Sequence, residues 1–197
     1  MQDMIFYSSE FSDLNKLAEK QKFLGNKEVV LCKNFSEKEL SELKQKLTGK
    51  FSVKFFFCHL LYKNDSKELN KFRNKTDFIA VLGGNVSSNS FAASSKKIDF
   101  LIKPCIEGRL SFDTAIARTA KENQTELIIP FSQFLENSGK TSLARNYSFC
   151  LKIANKFKLN PKVVSFAKNI NGLRSLNDLE YFKKFLEKKF ESVVNKN

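Results

Sequence analysis

The chain has 197 residues, 42% of them hydrophobic, with 21 Phe and no Trp, which is enough apolar material for one substantial core and predicts a single domain over residues 1–197. Its 34 basic and 21 acidic residues give a formal charge of +13, a balance that suits a polyanionic partner as well as a plain solvated surface. No apolar run reaches the ~18 residues of a membrane span, and no secretory leader precedes the dispersed Cys32, Cys58, Cys105 and Cys150; a cytoplasmic protein with buried thiols and no membrane partner is expected.

Taken in chain order, short apolar runs alternate with helical patterns. Residues 4–7 read as a strand, and Ser12 then opens a helix that turns Leu14, Leu17 and Leu24 inward before Gly25. A second strand is expected over 28–32. The Ser36/Glu39 capping box starts a helix carrying Leu40, Leu43 and Leu47 inward to Gly49. Residues 51–62 form the longest apolar stretch, a strand covered on both faces, with a short helix over 66–72 after it.

Strands are expected at 77–82, 98–102 and 126–129, separated by helical segments near Ser90 and over 112–122. A helix over 141–157 holds its period through Leu143, Tyr147, Cys150, Leu151, Ala154 and Phe157. The strand at 163–167 and a terminal helix over 176–193, with Leu179, Phe182, Phe185, Leu186 and Phe190 inward, complete the series. About seven strand–helix units place the chain in the α/β class, as a small or irregular TIM-like (β/α) barrel. The other α/β solution, an open doubly wound sheet, lacks the glycine-rich first turn of a dinucleotide binder.

Cations follow the strands at Lys33, Lys63, Lys103 and Lys168, with Arg174 in the loop after the last strand, while Asp77, Asp99 and Glu126 stand at strand starts. With all strands parallel, the carboxyl-end face is expected to be positive and the opposite face comparatively acidic. The carboxylates then lie on the face that serves stability rather than chemistry. Ser175, followed three residues later by Asp178, caps the helix that closes the basic loop.

Other motifs are less telling. Ser138–Gly139–Lys140–Thr141 resembles the end of a P-loop, but Phe134 stands where its first glycine is needed. Gly83–Gly84–Asn85 with Ser87, Ser88 and Ser90 is either an anion-binding turn or a flexible connection. The single histidine, His59, sits in an apolar run as a core or barrel-lining residue. One imidazole and no G-x-S-x-G elbow argue against multinuclear metal hydrolysis and a Ser-His-Asp triad, so no catalytic residue, metal or cofactor is assigned.

Several segments together resemble the archaeal ribonuclease P protein component 3. These are Asp77 to Val81, Ile98 to Leu101, Phe112–Asp113 with Ala115, Ala117 and Ala120, Glu126 to Ile129, Arg145, Val163 to Ala167 and, most specifically, Leu173 to Leu179. The likeness covers most of residues 77–186. It implies a barrel distantly similar to the polymerase and histidinol phosphatase metallo-hydrolases but without their metal ligands.

It also implies a subunit of RNase P that supports the catalytic RNA in removing the 5′ leader from pre-tRNA, the RNA doing the chemistry. RNase P RNA, pre-tRNA, component 2 in a two-fold heterotetramer and the other protein components are the implied partners. Lys103, Lys168 and Arg174 are the expected phosphate contacts, with Arg145 and Ser165 as family-matched contributors. The competing classes are a small barrel phosphoesterase acting on a phosphorylated metabolite and a purely architectural subunit.

Overall fold

A computed structural model describes residues 3–11, 13–47, 49–136 and 141–194, with side chains to Lys188. Seven strands form one all-parallel sheet in sequential order: β1 (Asp3–Phe6), β2 (Glu28–Lys33), β3 (Lys54–Leu61), β4 (Phe78–Leu82), β5 (Phe100–Ile102), β6 (Glu126–Pro130) and β7 (Lys162–Val164). Between and after them lie α1 (Leu14–Phe23), α2 (Glu37–Leu47), α3 (Ser66–Phe72), α4 (Val86–Ala93), α5 (Thr114–Asn123), α6 (Ser132–Glu136), α7 (Thr141–Lys156) and α8 (Leu176–Val194). The buried faces of the helices and the outward side chains of the sheet share one core.

The sheet closes on itself. Past β7 the backbone turns at Phe166 (φ 43°), whose N–H donates to Met4 O at 2.7 Å, and Phe6 N–H donates to Ala167 O at 3.1 Å. These two bonds seal β1 to the continuation of β7 and make a nearly closed barrel, one strand short of the usual eight. Strand alternation divides the side chains cleanly. Met4, Val30, Cys32, Cys58, Leu60, Ala80, Phe100, Ile102, Ile128, Val164 and Phe166 fill the interior, whereas Ile5, Val29, Leu31, Phe57, Ile79, Val81, Leu101, Leu127, Ile129 and Val163 face the helices. The lumen is thus a packed core and not a pore.

Helix starts follow the local chemistry. Ser36 Oγ accepts Glu39 N–H, and the carboxylates of Asp13, Asp65 and Asp113 each accept an amide of the first turn of their helices. Asp13 supplies the cap of α1; Ser12 lies outside the described residues, as does the Phe190 side chain. No described helix is long and apolar enough to cross a membrane.

Candidate nucleic-acid interface

The loop between β7 and α8 is built around one serine. Ser165 is wholly buried; its N–H donates to Asp3 Oδ1 at 2.8 Å, its carbonyl accepts Ser132 N–H at 3.1 Å, and its hydroxyl oxygen accepts Arg174 N–H at 3.0 Å. A single residue therefore joins β1, α6 and the basic loop. Gly172 is pressed against the start of the same loop, where a Cβ would come within 2.9 Å of Ala167 Cβ. Ser175 Oγ accepts Asp178 N–H at 3.1 Å and donates to the Asp178 carboxylate at 2.7 Å, the expected cap of α8.

Arg174 is held as a whole side chain. Its Nη1 donates to Asn171 O at 2.9 Å and Leu173 O at 2.8 Å, and the guanidinium lies 5.4 Å from the Phe131 ring centroid. Lys168 is exposed, paired through Nζ with Glu136 at 2.7 Å, and its carbonyl accepts the Ser8 hydroxyl at 2.7 Å. The structure thus brings Ser165, Lys168 and Arg174 into one loop. Ser165, being buried, reaches a ligand only through the backbone of Arg174.

Lys103 and Arg145 stand on the same carboxyl-end face but in the neighbouring sector, and among the described residues no hydrogen bond or ion pair joins them to that loop. Lys103 follows β5 in a left-handed turn (φ 59°), its N–H donating to Ile128 O at 3.0 Å. Arg145 is exposed on the second turn of α7, whose Asn146 donates to Ile106 O at 2.9 Å and so anchors the loop after β5.

At the carboxyl end Lys33 pairs with Glu39 at 2.5 Å and Lys168 with Glu136 at 2.7 Å, so two of the five cations that follow strands are matched by acids. Lysines also gather at the opposite end. From Lys20 to Glu28 there are three lysines and one acid, and from Lys44 to Lys54 four lysines and none. Strand-end cations were visible in the sequence; the cations of the helix-to-strand turns were overlooked, although helix C-termini attract them.

The three strand-start acids each have a partner. Asp77 Oδ2 accepts Phe57 N–H at 2.8 Å; Asp99 Oδ2 accepts Ile79 N–H at 2.8 Å and Arg73 Nη1 at 2.6 Å; Glu126 pairs with Lys162 at 2.5 Å. Together with Glu28, Phe78 and Phe100, the last two acids and Lys162 line a cleft of about 380 Å³ at the amino-end mouth of the barrel. No group of three or more metal-type ligands occurs among the described residues.

His59 lies between sheet and helix. Nδ1 accepts Phe35 N–H at 3.3 Å, Nε2 bonds Glu68 at 2.9 Å, and the ring stacks on Phe72 at 3.7 Å, an arrangement that suits the neutral Nε2–H tautomer. Burial holds its pKa below the usual imidazole value, against the pull of Glu68. The turn at Gly83–Gly84 is rigid: buried Asn89 accepts Gly84 N–H and donates to Pro104 O and Ser111 O, both at 2.7 Å. Ser138, Gly139 and Lys140 lie outside the described residues.

The cysteines, dispersed in sequence, meet in space. Cys32 and Cys58 are register partners inside the barrel, and Cys105 lies beside Cys150; all four are free and buried. Burial, then the neighbouring Cys32, pushes the Cys58 thiol well up, and contact with Cys105, then burial, does the same to Cys150.

No family model matches the chain. Among curated proteins it is 28% identical over 116 residues to ribonuclease P protein component 3 of Methanothermobacter thermautotrophicus, a match covering 57% of this chain and 47% of that one. The component 3 protein of Methanococcoides burtonii is 27% identical over 142 residues, covering 70% and 58%. The chain therefore spans about half the length of the curated relatives it matches. Among solved structures, a chain in the cryo-EM structure of archaeal ribonuclease P with mature tRNA superposes with a TM-score of 0.76 at 23% identity, covering 95% of this chain and 83% of that one, which supports the same fold. In sequence this chain is similar to the archaeal ribonuclease P protein component 3, and in fold to a chain of archaeal ribonuclease P.

Proposed function

We propose that the chain, as one barrel domain over residues 1–197, is a protein subunit of ribonuclease P that supports the catalytic RNA in cleaving the 5′ leader from pre-tRNA. Its relatives carry the component 3 name, and the Leu173 to Leu179 segment singled out by the resemblance is the one that the fold braces on a buried serine. That brace is the observation on which the reading turns. An arginine fixed through its backbone, two carbonyls and an aromatic face is pre-organised for phosphate, so little side-chain freedom is lost on binding.

In this reading Arg174 and Lys168 contact RNA phosphates, Lys103 and Arg145 extend the contact across the neighbouring sector, and Ser165 positions Arg174. RNase P RNA and pre-tRNA are the nucleic-acid partners, and component 2, in a two-fold heterotetramer, and the remaining protein components are the protein partners. The chemistry belongs to the RNA. The test is reconstitution of pre-tRNA cleavage from the RNA and its protein components with and without this chain. The proposal expects faster cleavage at lower magnesium with it; equal rates would reject it, and hydrolysis of a phosphorylated metabolite by the chain alone would favour the phosphoesterase reading.

A further inference from the structure

We propose that the amino-end rim formed by the α1–β2 and α2–β3 turns is a second RNA-binding surface, one that takes an unpaired strand with phosphates on lysines and bases against phenylalanines. The proposal rests on the RNA-binding reading above but places the contact at the opposite end of the barrel. Lys20, Lys22 and Lys27 lie at the α1–β2 turn and Lys46, Lys50 and Lys54 at the α2–β3 turn, and none of the six has an ion-pair partner among the described residues. The two turns form one surface, since Lys54 N–H donates to Lys27 O at 2.9 Å.

Helix electrostatics explains part of this clustering. Lysines in a last turn are favoured by the negative end of the dipole, which covers Lys20 and Lys22 on α1 and Lys46 on α2. It does not cover Lys27, Lys50 and Lys54, which lie beyond the helices, nor a phenylalanine in their midst. Phe23 is 81% exposed, with Lys20 Nζ 5.0 Å from its ring centroid. Phe51 lines two adjoining clefts, one of about 620 Å³ with Lys46 and Lys50 and one of about 270 Å³ with Lys44 and Lys54.

Lysine heads beside the exposed ring of Phe23 and a cleft bordered by the half-buried Phe51 are the elements of single-strand binding: point charges for phosphates and π-faces that accept any base. An acidic protein surface would satisfy the lysines but has no use for the rings. Asp13, the acid lining the larger cleft, already faces Lys16 at 3.8 Å.

The experiment measures binding of an unstructured RNA of roughly 16 nucleotides to the purified chain across a salt series, with the triple variant Lys46→Gln/Lys50→Gln/Lys54→Gln and with Phe23→Ser. Loss of three phosphate contacts makes the log–log salt slope shallower by about 2, at roughly 0.7 per contact, and loss of one stacked base weakens binding on the order of ten-fold. An unchanged slope in the triple variant overturns the proposal, as does absence of binding by the wild-type chain at low salt. Thermal unfolding of the variants, all changed at exposed side chains, verifies the fold. A chain that shows the slope change yet is dispensable for pre-tRNA cleavage would remove the subunit reading and leave this surface standing.

Discussion

The hydroxyl of Ser165 accepts the backbone N–H of Arg174 at 3.0 Å, so the buried end of β7 and the exposed basic loop move as one piece. Ser165→Ala leaves that N–H without its partner and unpins the loop. A stability loss of about 1–3 kcal/mol is expected, together with weaker RNA binding at an unchanged salt slope, because no charge is removed. Arg174→Ala should instead lower the slope by about one phosphate contact and slow reconstituted cleavage. Identical salt slopes for wild type and Arg174→Ala would take Arg174 out of the interface.

Asp3 gives a pH signature. Fully buried beside Ser165 at the barrel seam, its carboxyl is raised to about 6, chiefly by desolvation, against hydrogen bonds from Ser165 and Met4. An acid with a raised folded pKa stabilises fully below its unfolded value near 3.8 and loses that contribution as pH rises through about 6. Asp3→Asn keeps an acceptor oxygen but cannot ionise. The variant should gain on the order of 2–3 kcal/mol relative to wild type between pH 4 and pH 7, read from urea midpoints at a series of pH values. A constant difference across that range would show that Asp3 is not ionising in the folded protein.

His59 acts in the opposite sense. Its folded pKa lies below the usual 6.5, so the stability tied to its neutral form is present above 6.5 and falls as pH drops below it. His59→Ala removes a ring stacked on Phe72, orphans Phe35 N–H and leaves Glu68 with Asn34 as its hydrogen-bond partner. A loss of about 2–4 kcal/mol is expected, with the acid limb of the stability profile flattened. Retention of the wild-type melting temperature would contradict this structural role.

Gly83 is the most crowded of the described glycines. An added Cβ would meet Asn89 Oδ1 at 2.3 Å, Leu101 Cδ1 at 2.8 Å and Lys103 O at 3.0 Å. Gly83→Ala should therefore cost about 1–3 kcal/mol by displacing Asn89 from the loops it ties together. Gly49→Ala, with nothing within 4 Å but φ at 69°, isolates the cost of backbone strain alone. Circular-dichroism melts of the pair separate the two effects.

Much of this was legible in the chain. The helix at Ser66–Phe72 and the Ser36 cap of α2 came out as read, because side-chain caps act within a few residues; the Glu39 carboxylate pairs with Lys33 rather than closing the box on Ser36. The strand over 163–167 did not: β7 stops at Val164, because closure onto β1 demands a positive φ at Phe166, and no local pattern announces a seam between residues so far apart. The five-residue α6 was missed because it is too short for a helical period to register. The candidate loop was found because a cap, two cations and a strand coincide within a few residues. Its brace on Asp3 and the pairing of the thiols were hidden, both being products of strand neighbours distant in sequence. The lysines of the turns after α1 and α2 went unread because charges were counted along strands.

The seam between Met4 and Phe166 also orders events during synthesis. β1 leaves the ribosome before the other six strands, but among the described residues its outer edge has no partner until the segment after β7 emerges, more than 150 residues later. Until then the nascent chain is an open parallel sheet with two bare edges, an association-prone form. The barrel locks only when the loop bearing Arg174 is made, so its basic loop and its protection against sticking to other chains arrive together.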